Sequence, residues 1–77
     1  MTDKKVKMNA LETYARSGER AGAARRHGVE STARNESLWA QQAFNLESPP
    51  YRNEARQLWE NSYKEGYRNG KVGLLAE

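Results

Sequence analysis

With 77 residues and a net charge of +3, the chain can build one domain at most. A single core of that size seldom supplies more than about 3 to 5 kcal/mol of net stability. Leu, Ile, Val and Phe together number only ten and Ile is absent, so two Trp, four Tyr and the alanines must provide much of the apolar area. The lack of Cys excludes a disulfide framework, thiolate metal ligands and a Cys nucleophile. No apolar run reaches the length of a signal peptide or a membrane span, so the expected setting is cytoplasmic, away from membranes.

Met1 to Met8 is Lys-rich and aperiodic and reads as a disordered basic arm, leaving residues 9–77 as a single helical domain. Asn9 followed by Glu12 has the spacing of a capping box and opens a helix over about 10–27. Leu11, Tyr14, Ala15, Gly18, Ala21, Gly22 and Arg25 follow one helical face, most of it small. Two Gly inside a helix cost about 1 kcal/mol each relative to Ala, which makes sense where another backbone approaches closely. Arg25, Arg26 and His27 favour a stop at Gly28.

Ser31 or Thr32 can cap a second helix over about 32–45, with Leu38, Trp39, Ala43 and Leu46 expected inward. Ser48-Pro49-Pro50 breaks the chain, and a third helix over about 50–69 follows at once. Its stripe of Tyr51, Ala55, Leu58, Trp59, Ser62, Tyr63 and Gly66 is the strongest periodicity in the sequence, and Gly70 is its natural stop. Val72, Leu74 and Leu75 can dock on the helices or fray. The fold class is therefore all-α, a small bundle of two to three helices.

Catalytic constellations are missing. His27 is the one His, so neither a metal site of several imidazoles nor a Ser-His-Asp arrangement can form, and no glycine loop has the spacing of a P-loop. The reading is of a non-enzyme without metal or cofactor. Positive charge is better organised. Residues 1–28 carry seven Lys and Arg against three acids, residues 29–48 one against three, and residues 49–77 five against four. Arg16, Arg20, Arg25 and Arg26 on the first helix, with Arg52, Arg56, Lys64 and Arg68 on the third, are candidate nucleic-acid contacts. Tyr67, one residue off the apolar stripe, is the ring best placed to stack on an unpaired base.

Two segments taken together carry a resemblance. Ala15-Arg16-Ser17-Gly18-Glu19-Arg20-Ala21-Gly22, and then Pro50-Tyr51 with Arg56, Trp59 and Tyr63, resemble the two motif blocks of the ribosome modulation factor family in the same order. The chain departs from that pattern in the intervening Val29 to Pro49 segment and in Ser62, where a Gly usually precedes the aromatic. The resemblance implies a small helical protein that binds the small ribosomal subunit and promotes inactive ribosome dimers. It points to Gly18, Ala21, Gly22, Pro50, Tyr51, Arg56, Trp59 and Tyr63, mostly as packing residues.

Three functions follow as expectations. The first is a regulatory protein that binds the ribosome or structured RNA, for which Arg52→Ala with Arg56→Ala should weaken ribosome co-sedimentation. The second is a module that binds and inhibits an acidic host protein through Phe44, Leu46, Leu74 and Leu75. The third is a helix-turn-helix DNA-binding protein reading with Arg52, Asn53, Arg56 and Gln57, for which the Pro-Pro turn is a poor substitute. The small face of the first helix leaves room for a homodimer.

Overall fold

A computed structural model describes the backbone of residues 2–75 and the side chains of residues 11–75. It contains three helices, α1 (Thr2–Arg26), α2 (Glu30–Leu46) and α3 (Pro49–Asn69), followed by a short 3-10 turn, Val72–Leu75. No strand occurs among the described residues. The basic arm expected over residues 1–8 and the Asn9 cap lie outside the residues described with their side chains.

The helix boundaries have local causes. Gly28 adopts φ +76, and its N–H bonds the Arg25 carbonyl while the Val29 N–H bonds the Ala24 carbonyl. This is a Schellman turn, and it closes α1 where the sequence places a Gly. It also corrects the start of α2. Val29 is the N-cap and makes no side-chain cap bond, so the helix begins at Glu30, ahead of Ser31 and Thr32. The tight turn leaves three residues, His27 to Val29, between the helices, and Glu30 in the first turn suits the helix dipole. At the other break, Ser48 is extended as a pre-proline residue should be, and Pro49 and Pro50 occupy positions whose N–H groups would have no helical partner. Gly70 ends α3 at φ +59 with its N–H on the Gly66 carbonyl.

α1 and α3 form the main pair, and they run parallel: Gly18 lies against Trp59, Gly22 against Tyr63 and Tyr67, and Arg26 reaches Tyr67 and Arg68. A methyl group at Gly18, Gly22 or Gly66 would collide with the carbonyl oxygens of Trp59, Tyr63 and Glu19 respectively. The glycine hydrogens therefore point at those carbonyls, as C–H···O contacts of roughly 0.5–1 kcal/mol each. Close backbone approach is the physical reason for the glycines on the small face of α1. α2 returns antiparallel, leaning on α1 and touching α3 little.

The core is thin. Tyr14, Ala40, Phe44 and Ala55 form its centre, with Ala43 and Trp59 packed alongside. Tyr14 stacks on Phe44 at 5.3 Å between ring centroids and tilts against Trp39 at 5.4 Å. The inward face of α2 differs from the expected one: Ala33, Ala40 and Phe44 are buried, whereas Leu38 is 51% and Leu46 88% exposed, and Trp39 sits at the edge. Small side chains hold the inner positions because α2 lies close to α1. Phe44, expected as a spare surface residue, is part of the core, and Leu74 and Leu75 are half-buried in a turn that packs on α1.

Candidate nucleic-acid interface

Parallel α1 and α3 bring two helix C-termini, both rich in basic residues, to one end of the molecule. Arg25 and Arg26 close α1, and Lys64 and Arg68 lie in the last turns of α3, all exposed. They are not equivalent. The Arg26 guanidinium donates to the carbonyls of Tyr67 and Arg68, 3.0 and 3.1 Å away, and so caps the end of α3. The His27 ring lies 2.8 Å from the Gly70 carbonyl, which can only accept, so Nε2 carries the hydrogen. Arg25 faces Glu30 at 3.1 Å and Arg68 faces Glu65 at 3.6 Å, both pairs in solvent and therefore weak. Tyr67, in the last turns of α3 with Lys64 and Arg68, is 48% exposed.

The remaining candidate cations are dispersed. Arg20 bonds Glu36 at 2.9 Å, and Arg16 lies along the same α1/α2 groove. The Arg52 Nε and Nη2 atoms donate to the carbonyls of Phe44 and Glu47, at 2.9 and 3.0 Å, capping the end of α2. Arg56 lies over the Phe44 ring, 5.6 Å from its centroid. Of the basic residues selected from the sequence, Arg25, Arg26, Lys64 and Arg68 thus share one end with Tyr67, while Arg16, Arg20, Arg52 and Arg56 belong to other parts of the surface.

A polar chain links the three helices nearer their middle. The Trp59 indole N–H donates to Ser17 Oγ at 3.0 Å, and the Ser17 hydroxyl donates to Glu36 Oε1 at 2.7 Å. Arg20 donates to the other carboxylate oxygen. Ser17 is buried, so this chain satisfies a polar group inside a thin core and ties all three helices together. The residues of the resemblance fall along the same frame: Gly18, Ala21 and Gly22 are buried, Tyr51, Trp59 and Tyr63 half-buried, and Pro50 is exposed in the first turn of α3.

No protein-family model, curated protein or solved structure matches the chain. Among those described, no three His, Asp or Glu side chains gather as metal ligands would, and no helix is long and apolar enough to cross a membrane.

A cleft escaped the sequence reading. Because α2 leans on α1, a space of about 410 Å³ opens between α2 and α3. The rings of Trp59 and Tyr63, stacked at 5.5 Å and 26°, form one side, and Ala33 and Ser37 the other. Arg25 and Lys64 stand at its basic rim, with Glu60 opposite in charge. Helical spacing assigns Trp59 and Tyr63 to an inner stripe, and the structure leaves both half-buried at the edge of the cleft.

Proposed function

We propose that the chain is a non-catalytic regulatory protein of the ribosome modulation factor type, which binds the ribosome or structured RNA in the cytoplasm. The observation that carries this reading is that Arg25 at the end of α1 and Lys64, Tyr67 and Arg68 near the end of α3 are all exposed at one end of the molecule. Cations in weak, solvent-exposed pairs can exchange their partners for phosphates, and an exposed ring gives an unpaired base a stacking surface. The resemblance of the Gly18 to Gly22 and Pro50 to Tyr63 segments to that family supports the choice of the ribosome. The protein should co-sediment with small ribosomal subunits at low salt, and Arg25→Gln with Lys64→Gln and Arg68→Gln should abolish most of that. Absence of the intact protein from the ribosomal pellet at low salt would contradict the proposal.

A second reading has its own observation. Leu38, Trp39 and Leu46 leave an apolar strip on the outside of α2, which suits a protein partner that the chain binds and inhibits. Under that reading, nuclease-treated lysate still yields one stoichiometric partner, and Leu38→Ser with Leu46→Ser loses it while the basic-residue variant keeps it.

A further inference from the structure

We infer that the α2/α3 cleft is a receptor for a single unpaired nucleotide of an RNA strand, its base packed against the Trp59–Tyr63 ring pair and its phosphate between Arg25 and Lys64. The inference builds on the RNA-binding reading and names the form of RNA recognised at that end of the molecule. The lining suits a nucleotide, with aromatic side chains in the cleft and two exposed cations at its rim. The half-buried Trp59–Tyr63 ring pair, with centroids 5.5 Å apart, lines the cleft together with Ala33 and Ser37, whose small side chains add little bulk there. Stacking one base on an aromatic side chain is worth roughly five- to 150-fold in affinity.

The surface is also fixed before any ligand arrives. The hydrogen bond from the Trp59 indole to Ser17, itself bonded to Glu36, fixes the indole, so little ordering remains to oppose binding. Lys64 makes no ion pair among the described residues, and Arg25 meets only the exposed carboxylate of Glu30. Both can turn to a phosphate. A duplex cannot use this cleft, because its bases are already stacked and paired.

Trp59 reports on its own site once Trp39 is replaced by Phe. In that background we expect a single-stranded RNA octamer to quench the tryptophan emission and to bind at least tenfold tighter than the same sequence as a duplex. A free mononucleotide should quench too, at much higher concentration, because it lacks the flanking phosphates. Filling the cleft with Ser37→Phe should remove the quench, and Arg25→Gln with Lys64→Gln, at two exposed positions, should weaken binding at least tenfold without altering the thermal melt. Equal binding of duplex and single strand with unchanged emission would overturn the cleft while leaving RNA binding in place. Failure to bind any RNA or ribosomal subunit would overturn both. A quench by an acidic, tyrosine-containing peptide but by no RNA would assign the cleft to a protein partner and overturn the proposal as well.

Discussion

Gly22 shows most sharply how single residues set this structure. Its missing side chain lets the Tyr63 carbonyl and the Tyr67 amide approach α1, so an added methyl group must push two helices apart. Overpacking of that kind costs roughly 1–3 kcal/mol, more than the gain of about 1 kcal/mol from a better helix former. Gly22→Ala should therefore lower the urea midpoint despite raising helix propensity. Gly73→Ala, where nothing lies within 4 Å, should leave it within about 0.5 kcal/mol of wild type. Tyr14 supplies a second test. Burial first, and then its hydrogen bond to Glu47 at 2.9 Å, raise the phenol above its ordinary pKa of 10.0, and burial raises Tyr51 too. The unfolded chain thus loses these protons before the folded one, so the stabilisation is complete below about pH 10 and declines as pH rises through the folded-state values. Tyr14→Phe should be less stable by about 1 kcal/mol at neutral pH, where it lacks the bond to Glu47. Urea melts taken from pH 8 to 12 should show that difference shrinking as the wild type loses stability.

At the scale of elements, arginines close helices to which they do not belong. Arg52 on α3 covers the last carbonyls of α2, so Arg52→Ala should cost about 1–2 kcal/mol in a thermal or urea melt. Ribosome binding at a temperature where the variant is folded should then be nearly unchanged. α2 is the least supported helix, since it packs mainly on α1. Its amides should exchange with deuterium faster than those of α1 and α3 around the glycine seam, and equal protection across all three helices would contradict this. Where α1 and α3 end and where α3 begins was legible, because Gly28, Pro49, Pro50 and Gly70 act locally through backbone geometry. The phase of α2 was not. Leu38 and Leu46 carry the strongest apolar signal there, yet the nearness of α1 gives the inner positions to Ala33 and Ala40. The roles of Arg26 and Arg52 were equally hidden, because which carbonyls they cap depends on helices meeting across the fold. The candidate site was half legible: the basic residues and Tyr67 stand out in the sequence, while the cleft exists only through the tilt of α2.

For the molecule as a whole, the uneven charge matters more than its net value of +3. Arg25, Lys64 and Arg68 stand at one end because α1 and α3 are parallel, whereas an antiparallel pair would place their basic last turns at opposite ends. The proposed RNA binding through that end would release counterions, and each phosphate contact contributes about 0.7 to 0.9 to the slope of log affinity against log salt. The most direct test is the affinity for the small ribosomal subunit across a monovalent salt series, for wild type and for Arg25→Gln with Lys64→Gln and Arg68→Gln. The predicted result is a steep wild-type slope that becomes shallower by about 2 when these three cations are removed. An unchanged slope in the triple variant, or no binding by the wild-type protein at low salt, would contradict it.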